Sequence, residues 1–267
     1  FSVADETLAL MTAITDSGEL EYLTPERVWS ETLKALSEGS PRTYIEVLRE
    51  CGALKVLFPE LEQLFGVPQR ADFHPEVDTG IHLLMAMDQA AHLSNDPRVR
   101  FAVMMHDLGK GITTEPILPR HLGHEEAGVP LVEAFCRRLR VPNRFRKLAV
   151  AVTRYHLLCH KIDTLRPVTV LKVLKGLDVF RQPEALPCFL LACTADARGR
   201  TGFETADYPS AEWLQNLADK VTAITSEPFI RAGLKGAAIG EALDKKRLEC
   251  ISNYKRDSKL KEDNDDA

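Results

Sequence analysis

Apolar residues recur along this chain with the spacing of helices, not of strands. Leu8, Met11 and Ile14 fall one turn apart, and Val28, Leu33 and Leu36 take up an inward-facing pattern after a break. Thr24-Pro25-Glu26 combines an N-capping residue with proline at the first helical position. Ser40-Pro41 opens the next helix in the same way, and Cys51-Gly52 closes it. The pattern predicts further helices over about 77–93, 97–107, 124–140, 142–160, 167–176, 183–197, 209–224 and 237–254. Proline sits at or near the breaks Asn95-Asp96-Pro97, Val141-Pro142-Asn143, Arg166-Pro167 and Gln182-Pro183. Strict alternation is nearly absent, with 54–58 as the single strand candidate. The expected fold class is all-α.

Two stretches interrupt the periodicity. Gly66, Pro68, Asp72 and Pro75 break it near 65–75, and a loop rich in Gly, Asp and Pro breaks it near 201–209. They suggest a helical segment 1–66, which the family resemblance given below makes a neck/body, a central block 67–200 and a helical tail 201–254. In 255–267 charges of both signs cluster without apolar anchors, as in a flexible end. No repeat of 20–50 residues is visible.

Composition narrows the class. Apolar residues make up 45% and charged residues 27%, too apolar for a disordered chain and enough for a substantial core. No apolar run approaches the ~18 residues a membrane span needs, and no basic-then-apolar opening marks secretion. Six scattered cysteines without a CxxC pair read as reduced thiols in a cytoplasmic protein. With 34 basic and 39 acidic residues, the net charge of −5 disfavours whole-surface attraction to nucleic acid but leaves a local basic face open. The chain opens at Phe1 rather than Met, as a piece of something longer would.

The central block holds the candidate chemistry. His82 lies in a helical stretch, His106-Asp107 precedes Leu108-Gly109-Lys110-Gly111, His121 and His124 are three apart, and His156 and His160 are four apart. Asp196 follows in Thr194-Ala195-Asp196-Ala197-Arg198. A divalent ion that activates water needs several fixed N and O ligands and an open position, and helices converging in a core can supply them. Neighbours on a helix point about 100° apart, so His106 and Asp107 can face one ion only at a helix end. Gly109 and Gly111 offer such an end, with Lys110 as a cation for a phosphate oxygen. Taken singly, each histidine also reads as a hydrogen-bonded core residue, Asp107 as a turn cap and Lys110 as a solvated charge. Asp196 reads equally as an ion-pair partner of Arg198 and Arg200. The ordered set favours a metal site.

That order, His82, His106-Asp107 and Asp196, resembles the HD superfamily of metal-dependent phosphohydrolases. The resemblance implies His82, His106, Asp107 and Asp196 as metal ligands. His124 and His156 are then available for a second ion or the substrate phosphate, and Arg198 is a weaker candidate for the same task. It gives Lys110 and His124, beside Asp107, a part in stabilising charge on the phosphoryl oxygens. Ni, Mn, Co, Mg and Zn all suit such N and O donors.

Flanking sequence carries a second resemblance. Ala4-Asp5-Glu6-Thr7-Leu8, Leu23-Thr24-Pro25-Glu26-Arg27-Val28-Trp29 and Leu57-Phe58-Pro59-Glu60 are similar to the region behind the catalytic head of bacterial tRNA nucleotidyltransferases, the CCA-adding enzymes. So are His74-Pro75-Glu76-Val77-Asp78-Thr79-Gly80, Arg198-Gly199-Arg200-Thr201-Gly202-Phe203-Glu204 and Gly233-Leu234-Lys235-Gly236. The resemblance is to the multifunctional type, in which an HD domain follows the nucleotide-adding part. It implies tRNA and nucleotide phosphoesters as partners, with phosphatase, 2′-nucleotidase and 2′,3′-cyclic phosphodiesterase activities. The family's head carries a Gly-Gly turn and paired aspartates one residue apart. Here the only Asp-x-Asp is Asp263-Asn264-Asp265, in the terminal tail. The chain is therefore expected to be the C-terminal part of such an enzyme, unable to add CCA alone. Leu157 stands where some relatives have an acid, which leaves the role of His156 open.

A basic stretch is the remaining feature. Arg137, Arg138, Arg140, Arg144, Arg146 and Lys147 put six cations into eleven residues. They read either as a solvated helical face or as phosphate contacts for RNA. Lys245, Lys246, Arg247, Lys255 and Arg256 form a second such group. The rival to a hydrolase is accordingly a non-catalytic module that grips tRNA.

Overall fold

The computed structural model describes residues 3–265, with side chains through 258. Asp263-Asn264-Asp265 thus lies on the last helix, with its side chains outside the described residues. The fold is all-α: among the described residues fourteen α-helices form, and the only β-type pairing is one isolated bridge, Pro68 with Asp78. The stretch 54–58, expected as a strand, is helical (Ala53–Leu57). Its five residues bury Ala53 and Leu54 on one side, which apolar content alone does not distinguish from a strand.

The chain forms two compact units. The first combines Phe1–His156 with Cys188–Asp207. It contains α1 (Asp5–Asp16), α2 (Pro25–Ser37), α3 (Pro41–Glu50), α4 (Ala53–Leu57) and α5 (Pro59–Glu62). These are followed by α6 (Thr79–Leu93), α7 (Pro97–Met105), α8 (His124–Arg138) and most of α9 (Asn143–Cys159). After an interval comes α10 (Pro167–Gly176), which belongs to the second unit, then α11 (Ala185–Arg198), most of which returns to the first. Proline opens α2, α3, α5 and α7, where its missing N–H costs nothing. Thr24 occupies the cap position of α2 without a side-chain bond, whereas Asp78 and Asp96 cap α6 and α7 through Ile81 N and Arg98 N.

Segment 1–65 shares its core with the block behind it. Trp29 of α2 packs edge-on against Phe101 of α7 and Phe145 of α9, with ring centroids 5.4 and 5.0 Å apart. Arg100 joins the same elements by hydrogen bonds. Only 2% exposed, its guanidinium donates to the carbonyls of Leu36 and Glu38 at the end of α2 and of Ser94 and Ala91 at the end of α6. It thereby satisfies helix-terminal carbonyls that have no partner within their own helices.

The second unit, Leu157–Pro187 with Tyr208–Ala267, holds α10 together with α12 (Pro209–Thr222), α13 (Glu227–Arg231) and α14 (Ala237–Asp265). Val170, Leu174, Leu217, Val221 and Ile251 are fully buried in it. α14 continues past Tyr254, where the sequence pattern ends the helix. Tyr254 packs edge-on against Trp213, and Lys255 donates to the carbonyls of Asp163 and Leu165. No helix among the described residues is long and apolar enough to cross a membrane.

Candidate metal centre

Seven side chains singled out in the sequence converge inside the first unit. His82 comes from α6, His106 and Asp107 from the end of α7, and Lys110 from the 3-10 turn Leu108–Ile112. His124 starts α8, His156 lies on α9 and Asp196 on α11. All seven are 5% exposed or less. The adjacent pair meets the requirement for a helix end: α7 stops at Met105, His106 is its C-cap, and Asp107 has left the helix at φ −107°, ψ 12°. The stop is made by a switch to a 3-10 turn, with neither Gly109 nor Gly111 in the left-handed conformation.

Asp107 is central. Its Oδ2 lies 3.2 Å from His106 Nε2, 3.9 Å from His82 Nε2 and 2.7 Å from Lys110 Nζ. Its Oδ1 lies 3.2 Å from His124 Nε2 and 3.7 Å from His156 Nε2. Asp196 Oδ1 faces His82 Nε2 at 3.0 Å and His106 Nε2 at 3.5 Å. One carboxylate thus faces two pairs of imidazoles, one pair through each oxygen.

The backbone aims all four imidazoles the same way. His106 Nδ1 donates to Val103 O (2.7 Å), His124 Nδ1 to His121 O (2.6 Å), His156 Nδ1 to Val152 O (3.0 Å) and His82 Nδ1 to Gly199 O (3.0 Å). A carbonyl only accepts, so each Nδ1 carries hydrogen and each Nε2 is turned toward the carboxylates. Four polar atoms there, His106 Nε2, His124 Nε2 and both oxygens of Asp107, form no aligned hydrogen bond. The Lys110 contact to Asp107 is thus one of charge, not of alignment. A buried polar atom without a partner costs about 1–3 kcal/mol, so four in one cluster need explaining. Imidazole nitrogen and carboxylate oxygen within 4.8 Å of one another are a donor set that fits a divalent cation.

Protons can balance the charge when no cation does. Burial disfavours charged His106, yet Asp107 and Asp196 push its pKa up to about 10. His82 also rises: burial opposes the shift, and hydrogen bonds to Asp196 and Glu76 outweigh it. Burial raises Asp107, but His106 and Lys110 hold it far below the usual carboxylate range. His156 goes the other way, pushed down to about 3 by burial, and stays neutral.

Two glycines let the elements approach. A Cβ on Gly109 would fall on the His124 carbonyl, so the Lys110 turn could not pack on the start of α8. A Cβ on Gly199 would stand 2.5 Å from Ala86 Cα and 2.7 Å from Ala86 N. Only glycine allows the end of α11 so close to α6 that its carbonyl meets His82.

Three contributors escaped the sequence reading: Gln69, His74 and Glu76, in the loop between α5 and α6. Lys110 Nζ donates to Gln69 Oε1 at 2.9 Å, and Glu76 Oε1 lies 3.0 Å from Nδ1 of both His74 and His82. A His-Pro-Glu just ahead of a helix bearing a buried histidine was the available signal.

Other expected residues lie elsewhere. Arg198 donates to Ala206 O at 2.8 Å and Arg200 to Ala197 O, so Asp196 faces histidines rather than either arginine. His121 bonds Thr113 and Pro68 O, and His160 bonds Tyr208 within the second unit. In the basic stretch Arg138 pairs with Glu60, Arg140 with Glu26 and Arg146 with Asn143. Arg137, Arg144 and Lys147 are exposed, as are Lys245 and Lys246, the latter bonded to Glu249.

Comparison with known proteins accords with this geometry. Residues 1–65 match the family described as the probable RNA and SrmB-binding site of polymerase A, and residues 79–197 match the HD domain. The multifunctional CCA protein of Thioalkalivibrio sulfidiphilus (strain HL-EbGR7) is 55% identical over 255 residues. The match covers 96% of this chain and 62% of that relative. Residues 79–197 thus match the HD domain, and the chain as a whole is similar to part of a multifunctional CCA protein, spanning less than two thirds of that relative's length.

Proposed function

We propose that the centre holds a divalent metal ion through His82, His106, Asp107 and Asp196 and hydrolyses phosphoesters. The substrates we propose are phosphomonoesters and 2′,3′-cyclic nucleotides, giving phosphatase, 2′-nucleotidase and cyclic phosphodiesterase activities. The observation that carries this reading is the set of four buried atoms without an aligned hydrogen bond: the two oxygens of Asp107, with His106 Nε2 and His124 Nε2 on either side of them. Such an ion, when bound, supplies Lewis acidity that polarises a phosphoryl oxygen and acidifies water. Ni, Mn, Co, Mg and Zn all fit the donors.

The chain's own residues then divide the work. Backbone carbonyls hold each imidazole with Nε2 inward, so ligands are oriented before any ion arrives. Lys110, fixed between Asp107 and Gln69, has a donor left for a phosphoryl oxygen as charge develops. His124 and His156, on the Oδ1 side of Asp107, serve the substrate phosphate or a second ion. The deep burial of the set strengthens each of these contacts relative to water.

In the cell we propose that this hydrolase works within a tRNA nucleotidyltransferase, in the cytoplasm, joined to a nucleotide-adding head and acting on tRNA 3′ ends. A second reading, a tRNA-gripping module, is favoured by the match of residues 1–65 to an RNA-binding family and by exposed Arg137, Arg144, Lys245 and Lys246. Both can hold at once. The test is phosphate release from 2′,3′-cyclic AMP and p-nitrophenyl phosphate, with metal content measured alongside, for the native chain and Asp107→Ala. Loss of turnover together with bound metal supports the hydrolase. Unchanged turnover and unchanged metal content would overturn it.

A further inference from the structure

Glu76 stands directly behind His82, outside the cluster of ligands and phosphate-binding groups. Its side chain is 2% exposed, and its Oε1 is 3.0 Å from His82 Nδ1 and 3.0 Å from His74 Nδ1. Oε2 accepts from Thr201 N at 3.4 Å, and Gln69 Nε2 approaches Oε1 at 3.4 Å. On the opposite edge of the His82 ring, Nε2 faces Asp196 Oδ1 at 3.0 Å. Asp196 and Glu76 therefore address the two nitrogens of one imidazole.

For folding alone Nδ1 does not need a carboxylate beside it. Gly199 O already takes that hydrogen at 3.0 Å. Burying a carboxylate where a carbonyl suffices adds a desolvation cost. What the carboxylate adds is negative charge 3.0 Å from Nδ1, beside the hydrogen bond to Gly199 O: an anion next to Nδ1–H makes the imidazole a stronger donor through Nε2. His82 Nδ1, committed as a hydrogen donor, does not serve as a ligand nitrogen to an ion between His74 and Glu76.

The loop that carries Glu76 is itself firmly anchored. Gln69 N donates to Val77 O (2.7 Å), Thr79 N to Val67 O (3.0 Å), and Gly66 N to Asp78 Oδ2 (2.6 Å). Val77 sits at φ +59°, a conformation that a β-branched residue adopts only when its surroundings enforce it. The same loop fixes Lys110 through Gln69. One short segment thus reaches both His82, through Glu76, and Lys110, through Gln69.

We propose that Glu76 is a positioning residue of the metal centre, holding His82 through Nδ1–H and raising its affinity for a divalent cation. This inference rests on the metal reading above. It is tested by titrating metal-free protein with Co²⁺ alone and following visible absorption, for the native chain, Glu76→Ala, Glu76→Gln and Asp107→Ala. The native chain is expected to bind, Asp107→Ala to bind far more weakly, and Glu76→Ala to lose affinity by roughly 10–100-fold, the range for such supporting partners. Glu76→Gln keeps an acceptor for Nδ1–H but not the charge. It is expected to lose less affinity than Glu76→Ala while the metal-free protein melts as the native one does, and it carries the test if the alanine variant fails to fold. Native Co²⁺ affinity and spectrum in both Glu76 variants, beside a defective Asp107→Ala, would overturn the positioning role alone. Equal binding by native and Asp107→Ala proteins would overturn the metal reading and this inference with it.

Discussion

The His/Asp centre and the basic stretch 137–147 both concentrate charge, and the two are built on opposite terms. In the centre every imidazole is aimed by a backbone carbonyl, every charged group is nearly dry, and donor atoms are left without aligned partners. In the basic stretch the cations sit in water, and half of them have neighbouring oxygen partners: Arg138 with Glu60, Arg140 with Glu26, Arg146 with Asn143. Solvent makes the second arrangement cheap. Interior placement makes the first one expensive, a cost that the proposed metal ion would offset. Charge density alone therefore says little about function, and the state of solvation says much more.

Substitutions sharpen that contrast, beginning in the interior. Asp107→Ala strands His106 and Lys110 as buried cations, so the metal-free protein is expected to lose about 3–5 kcal/mol of stability. Denaturant unfolding measures this, and a loss under 1 kcal/mol would place the centre with the surface pairs. Gly199→Ala comes next. The added Cβ forces the end of α11 away from Ala86, with an expected cost of about 1–3 kcal/mol and weaker divalent-metal binding, since His82 loses its backbone acceptor. Native metal affinity in a destabilised Gly199→Ala protein would detach the α6–α11 approach from the site.

Acidity offers a subtler probe of the metal-free protein. His106 rises to about 10 on folding, so the folded state holds more protons between about 6.5 and 10. Its contribution is complete below that window and fades as pH rises through it. His156 falls to about 3, so the unfolded state holds more protons between about 3 and 6.5, and stability falls as pH drops through that range. The two together predict a stability maximum near neutral pH, read as melting temperature against pH. Metal should flatten the alkaline side, because an ion takes the place of the His106 proton. The smallest effects belong to the surface: Arg138→Ala or Arg140→Ala should each change stability by about 0–1 kcal/mol. If tRNA binds there, Arg144→Ala and Lys147→Ala should weaken binding and lower its salt dependence, without moving phosphate release.

The contrast also governs what could be read from the sequence. Helices were legible because apolar spacing and proline at the first turn act locally, as at Pro25, Pro41 and Pro97. His82, His106, Asp107 and Asp196 stood out by type and order, although they come from three helices and a turn. Glu76 and Gln69 were not legible as site residues, because a loop full of breakers has no period to mark a buried face. Gly199 and Gly109 were opaque for another reason: their importance lies in which backbone they meet, which no local pattern encodes. At 54–58 a short apolar run had no length to separate strand from helix. The charged end of α14 looked unanchored because Lys255 finds its partners in the carbonyls of Asp163 and Leu165, some ninety residues earlier.

Anomalous diffraction from crystals of the native chain grown with Mn²⁺ tests the central claim most directly. A peak is expected about 2.0–2.3 Å from Nε2 of His82 and His106 and from carboxylate oxygens of Asp107 and Asp196, with a coordination position left open. No peak there, with density for the ion elsewhere or nowhere, would contradict it.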